Sequence, residues 1–342
     1  MLTFAVNKHE SMTKEELRIV YMGTPDFAVE SLKRLVEGGY NIVGVVTMPD
    51  KPMGRHQEQL SQSAVKQYAV SQGLRVLQPV KLKDETFLEE LRSLKADLQI
   101  VVAFRMLPDV VWEMPPLGTF NLHASLLPQY RGAAPINWAI INGERETGIT
   151  TFFLQHEIDT GNIIQQVKIP IGADDNVGII HDKLMLLGGD LVLETVDNII
   201  KGEISQTPQT ALAEGVELKP APKIFKETCQ IDWCMAMKDV HNFVRGLSPY
   251  PAAWTTMRHD GKMLNMKIYK TSCTERNSSS HKVGEAFSEE DRLYVAVSDG
   301  VLEILELQLA GKKRMSAADF LRGFRMDGTE MFCRGIVDNC VK

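Results

Sequence analysis

Arg18-Ile-Val-Tyr-Met-Gly-Thr-Pro-Asp26 and, sixteen positions on, Ile42-Val-Gly-Val-Val-Thr47 decide the fold of this chain. Each is an apolar run long enough for a buried strand and too short for a helix. Between them Phe27, Val29, Leu32, Leu35 and Val36 recur at near-helical spacing, and Gly38-Gly39 stops the pattern. Strand, helix, strand implies a parallel sheet with right-handed crossovers. Gly23-Thr-Pro-Asp-Phe-Ala lacks Gly-x-Gly-x-x-Gly, so the sheet is expected to be Rossmann-like without a nicotinamide cofactor.

Further along, the pattern predicts a helix over 63–72, a strand over 74–78, a helix over 84–94 with Asp84 as N-cap, and a buried strand over 98–104. A strand follows over 147–154. A long amphipathic helix over 176–201 presents Val177, Ile180, Leu184, Leu187, Leu191, Val192, Val196 and Ile199 to the sheet. Between the two halves of this pattern lies Gly118-Thr-Phe-Asn-Leu-His-Ala-Ser-Leu-Leu-Pro-Gln-Tyr-Arg-Gly-Ala-Ala-Pro135, which gathers polar side chains beside a buried strand. In an extended segment Asn121 and His123 share one face, while Phe120, Leu122 and Ala124 take the other. An imidazole can take a proton near neutral pH, and an amide beside it can donate to an oxygen gaining negative charge. That pairing suits attack on a carbonyl. Asp159, in His156-Glu-Ile-Asp-Thr-Gly161, is by itself an ordinary turn residue; beside Asn121 and His123 it is expected to act in catalysis.

Asn121-Leu-His123-Ala-Ser125-Leu-Leu-Pro128-Gln-Tyr-Arg-Gly132 with Asp159-Thr-Gly161 resembles the signature of the 10-formyltetrahydrofolate-dependent formyltransferases, and the likeness runs from Arg18 to about Gly335. The resemblance is nearest to the branch that formylates methionine on initiator tRNA. It implies transfer of the formyl group of 10-formyltetrahydrofolate to that α-amino group for translation initiation, by direct amine attack. Asn121, His123 and Asp159 would be catalytic, Ser125, Leu126, Leu127, Pro128 and Phe104 would border the folate, and family members usually have glycine where Arg105 stands. It also implies that 49–63 is a loop entering the acceptor end of the tRNA. Lys51 and Arg55 would meet phosphates there, although His56-Gln-Glu-Gln replaces the family's usual glycine and basic residues. The same catalytic set would serve a small amine such as a nucleotide-linked amino sugar, and a non-catalytic RNA-binding protein on this fold is the other alternative.

A chain of 342 residues, 44% hydrophobic and 24% charged, is expected to fold as more than one domain. The expected division is a flexible N-terminal extension over 1–17, in which 1–11, before the start-like Met12, are an extension or a misassigned start; a formyltransferase domain over 18–205; a Pro-rich linker over 206–222; and a second domain over 223–342. Short strand signals at 265–270, 293–297 and 301–309, with helices at 236–247 and 317–324, suggest a small β-barrel, OB-like by the resemblance and binding tRNA. Lys312-Lys313-Arg314 is a solvated basic run or, in that setting, an RNA contact. The net charge of −6 is uneven: through Lys219 there are 20 Lys+Arg against 28 Asp+Glu, and beyond it 18 against 16. The balance permits a polyanionic partner without requiring one. The five cysteines lack Cys-x-x-Cys spacing and the histidines do not cluster, so reduced thiols and no metal are expected. No stretch reads as a signal peptide or membrane span, and a cytoplasmic, monomeric protein is expected.

Overall fold

The computed structural model describes residues 12–53 and 59–333. The chain folds into two compact units. The first comprises Met1–Arg131, Gly148–Ile169 and His181–Lys219; the second comprises Gly132–Thr147, Pro170–Ile180 and Pro220–Lys342. Residues 1–11 lie outside the described residues. Residues 12–17 form a turn whose Leu17 is fully buried.

In chain order the strands of the first half are β1 (Ile19–Gly23), β2 (Ile42–Val46), β3 (Lys51–Met53), β4 (Gln59–Ser61), β5 (Val76–Leu77), β6 (Leu98–Val102), β7 (Thr119–His123), β8 (Glu146–Phe153) and β9 (Ile163–Pro170). The helices are α1 (Phe27–Glu37), α2 (Ala64–Ser71), α3 (Glu85–Ser93), α4 (Asp109–Trp112), α5 (Pro135–Ile141), α6 (Val177–Lys201) and α7 (Gln209–Ala213). The seven-stranded sheet runs β5-β2-β1-β6-β7-β8-β9. Pairing is parallel from β5 to β7 and antiparallel between β7 and β8. Every residue of β1 and β6 is buried, as a parallel sheet covered on both faces requires. The chain moves outward from β1 to β5 and then restarts on the other side at β6. Open α/β sheets take ligands at such a reversal, outside the carboxyl ends of the strands.

Leu122 packs beneath α6 at Gly188, where an added Cβ would stand 2.7 Å from a Leu122 methyl. The helix can lie close to the sheet only because that position has no side chain. Asp84 caps α3 as its sequence position predicts, and Ser63 caps α2. Among the described residues, no helix is long and apolar enough to cross a membrane.

The second unit continues with α8 (Met237–Leu247), β10 (Ala253–His259), β11 (Lys262–Cys273), β12 (Ala286–Glu289), β13 (Arg292–Val297), β14 (Gly300–Leu309), β15 (Met315–Ser316), α9 (Ala317–Gly323) and β16 (Met331–Cys333). Its strands pair in the order β12-β13-β14-β11-β10-β16, all antiparallel. The two ends of that path meet. Glu285 and Met331 bridge, with Ala286 N donating to Glu330 O at 3.0 Å and Phe332 N to Gly284 O at 2.8 Å. Closure removes the exposed edges an open sheet would present. Trp233 anchors the core, stacked on Phe332 at 5.0 Å with its indole N–H on Thr255 Oγ1 at 2.9 Å. A Rossmann-like parallel sheet followed by a small antiparallel barrel is the architecture the strand signals predict.

His241 of α8 is buried, with Nδ1 3.0 Å from Thr271 Oγ1 and Nε2 3.3 Å from Ala173 O. Burial pulls its pKa below the ordinary 6.5, and Arg245 adds to that, against Ala173, Asp174 and Thr271. The unfolded chain therefore binds the proton more readily, and the stability from a neutral buried His241 is lost as pH falls below 6.5. Thermal melting from about pH 8 to about pH 5 should show this loss, and His241→Gln should flatten it. A variant as pH-sensitive as the parent would contradict the assignment.

Candidate active site

β7 delivers Asn121 and His123 to one face at its carboxyl end. Phe120 and Leu122, on the opposite face, are buried, as the period of a strand demands. His123 is itself buried at 7% exposure. Its Nε2 lies 2.9 Å from the carbonyl oxygen of Tyr130. A carbonyl only accepts, so Nε2 carries the hydrogen and the lone pair of the neutral ring is on Nδ1. Nδ1 faces Asp159 Oδ2 at 3.9 Å, with the two side chains 8% and 12% exposed. That gap is longer than a hydrogen bond and short enough for a charged pair once the ring is protonated. Asn121 is half-buried, and its amide has no hydrogen-bond partner among the described residues.

The loop after β8 folds back over this face to bring Asp159 in. Asp159 adopts φ +55, the left-handed region. At Gly161 an added Cβ would stand 1.6 Å from Phe153 O, so the turn can pass the end of β8 only with glycine there.

Ser125, Leu127 and Pro128 are buried, and the turn they form is bonded to itself and to β8 and β9. Ser125 Oγ donates to Gln129 O at 2.6 Å, and Thr150 Oγ1 donates to Ser125 O at 2.7 Å. Leu127 N donates to Thr150 Oγ1 at 3.2 Å, and Gln166 Nε2 donates to Leu127 O at 2.8 Å. Leu126 lies against Gly148. Past the end of β6, Phe104 is half-buried and carries Arg105 over its ring at 5.6 Å. The Arg105 guanidinium bonds Val80 O at 2.8 Å and Pro79 O, tying the loops after β5 and β6 together; burial lowers its pKa.

The basic candidates sit elsewhere. Lys51 is exposed on the short β3/β4 hairpin, and Arg55 lies outside the described residues. Lys312 and Lys313 are exposed between β14 and β15 in the second unit. Arg314 is committed to Glu306 and lies over Tyr269 at 4.4 Å. His259, Asp327 and Glu330 could converge on a metal, but the Glu330 carboxylate already accepts from Asp327 N, Gly328 N and His259 Nδ1.

The stretch read as linker carries a residue that sequence reasoning missed. Gln209, 2% exposed, opens α7 and bonds the backbone of the Asp159 turn.

The profile described as "Formyl transferase" matches residues 17–196, and that described as "Formyl transferase, C-terminal domain" matches residues 223–325. The chain belongs to the formyl transferase family. A relative from Phocaeicola vulgatus named methionyl-tRNA formyltransferase is 68% identical over 92% of this chain and 98% of its own length. Another so named, from Parabacteroides distasonis, is 64% identical over the same shares. Among solved structures, the fold resembles WlaRD, described as a sugar 3N-formyl transferase, at TM-score 0.62 and 19% identity over 87% of this chain and 99% of that one. An N-formyltransferase from Helicobacter canadensis gives TM-score 0.62 and 21% identity over 84% and 98%.

Gly161→Ala should push the turn off β8. Overpacking of this kind costs about 1–3 kcal/mol of stability, and displacing Asp159 should lower formyl transfer by about a hundredfold. Melting and steady-state rates on the purified variant test both; unchanged turnover would show that the turn position does not govern the site.

Proposed function

We propose that this enzyme transfers the formyl group of 10-formyltetrahydrofolate to the α-amino group of methionyl initiator tRNA, working as a monomer in the cytoplasm. The observation that carries the reading is the convergence of a half-buried Asn121 amide, the Nδ1 lone pair of His123 and the Asp159 carboxylate on one sheet face. The relatives named methionyl-tRNA formyltransferase, alike over nearly the full chain, favour this acceptor.

The neutral amine attacks the formyl carbon, and the carbonyl oxygen becomes an oxyanion. Asn121 donates to it. His123 Nδ1 takes the amine's proton, and the imidazolium, held at Nε2 by Tyr130 O, is stabilised by Asp159. Collapse breaks the bond between the formyl carbon and N10; N10 leaves with the proton that the His123 imidazolium returns, which restores the neutral ring, and the amide product keeps the formyl group. The turn over 125–128, with Phe104, would shape the folate site. Lys51, Arg55, Lys312 and Lys313 would meet tRNA phosphates, Arg314 contributing less because Glu306 already engages it.

Asn121→Ala should cost about 3–4 kcal/mol of barrier, a fall in kcat of about 10²–10³-fold. Undiminished transfer would remove Asn121 from the mechanism. With 10-formyltetrahydrofolate as donor, the enzyme should formylate methionyl initiator tRNA in preference to methionyl elongator tRNA and free methionine. Transfer to a nucleotide-linked amino sugar with none to tRNA would move the acceptor to that class.

A further inference from the structure

We propose that Gln209, braced by Arg131, is a positioning residue for formyl transfer that holds the Asp159–Gly161 turn where the carboxylate meets His123, a role that rests on the catalytic reading of Asp159. Gln209 uses its amide at both ends. Nε2 donates to Asp159 O and Gly161 O, each at 2.8 Å, and Oε1 accepts from Arg131 Nε at 3.0 Å and Nη2 at 2.6 Å. A guanidinium only donates and carbonyls only accept, so the network itself fixes which end is nitrogen. A carboxylate could serve Arg131 but not the carbonyls; an ammonium could serve the carbonyls but not Arg131. Only an amide joins them. The charge-assisted bonds from Arg131 polarise the amide and strengthen its donors.

The connection has a purpose at Asp159. A non-glycine residue at positive φ persists where its surroundings over-determine it. Gln209 grips the turn on both sides of Thr160, and its own segment is tied down by Thr207, which exchanges bonds with Ile163 at 2.8 and 2.9 Å. Tyr130 and Arg131 are consecutive. The carbonyl of the first holds His123, and the side chain of the second holds Gln209 and through it Asp159. One short stretch thus fixes both partners of the His123–Asp159 pair, across the 3.9 Å where a small drift would separate them.

The test is a mutant cycle on the purified full chain, with 10-formyltetrahydrofolate and methionyl initiator tRNA, comparing Gln209→Ala, Gln209→Glu, Asp159→Asn and Gln209→Glu with Asp159→Asn. Each Gln209 variant should lower kcat by about ten- to a hundredfold while KM for either substrate moves by less than about twofold. In the Asp159→Asn background the Gln209 change should cost nothing further, because both act through one carboxylate. If Gln209→Ala does not fold, Gln209→Glu, nearly isosteric and still able to accept from Arg131, carries the measurement. Parental kcat in Gln209→Glu would overturn the inference, as would losses that multiply with Asp159→Asn. Parental kcat in Asp159→Asn would instead overturn the catalytic reading of Asp159, and the positioning role with it.

Discussion

The carbonyl oxygen of Tyr130 fixes the imidazole of His123, and most of the site's order follows from how that carbonyl is held. Tyr130 sits at φ +59, a conformation that costs a non-glycine residue of order 1–3 kcal/mol. The turn before it offsets that cost with several hydrogen bonds, each contributing about 0.5–1.5 kcal/mol net. Ser125 and Gln129 close the turn, Thr150 and Gln166 pin its backbone, and Tyr130 N reaches Lys219 O at 2.8 Å. Ala103, after β6, and Asp159, after β8, are likewise at positive φ. These three lie in loops that follow sheet strands, and two of them hold the imidazole or face it.

The sheet explains why the polar groups gather where they do. In the parallel half, β1 and β6 are buried throughout and almost wholly apolar, which suits a layer covered on both faces. The antiparallel part differs. Thr150 and Thr151 of β8 are buried and bonded, and Thr195 of α6 joins them: Thr151 to Thr195 at 3.0 Å, and Thr195 to Gln165 Oε1 of β9 at 2.8 Å. A satisfied network specifies one register where an apolar layer would tolerate several.

Asn121 and His123 were legible because period two is a local property, and α6 was legible because its apolar stripe repeats over about seven turns. The parallel pairing followed from strand and helix alternation alone. Elements without a local signal were missed. The seven-residue α5 is too short to show a period, and β9, half-exposed with Gln165-Gln166 at its centre, interrupts the alternation. The segment over 49–63 reads as loop, yet its ends pair as β3 and β4. Gln209 could not be found this way. Its partners stand 48, 50 and 78 positions away, and its surroundings, Thr-Pro-Gln-Thr, have the composition of a linker.

The Asp159 turn draws on a distant side chain, because its backbone is in a rarely populated region and the carbonyls of Asp159 and Gly161 both accept from Gln209. Something distant must accept or donate in its place, and the requirement falls on side chains that read as unremarkable in sequence. The carbonyls of Asp159 and Gly161 demand donors; the half-buried Arg131 guanidinium demands an acceptor; one amide meets both demands within a single side chain. A buried residue of the apparent linker is therefore the one that holds the strained turn, and its polarity answers to the backbone carbonyls it is buried against, not to exposure to water.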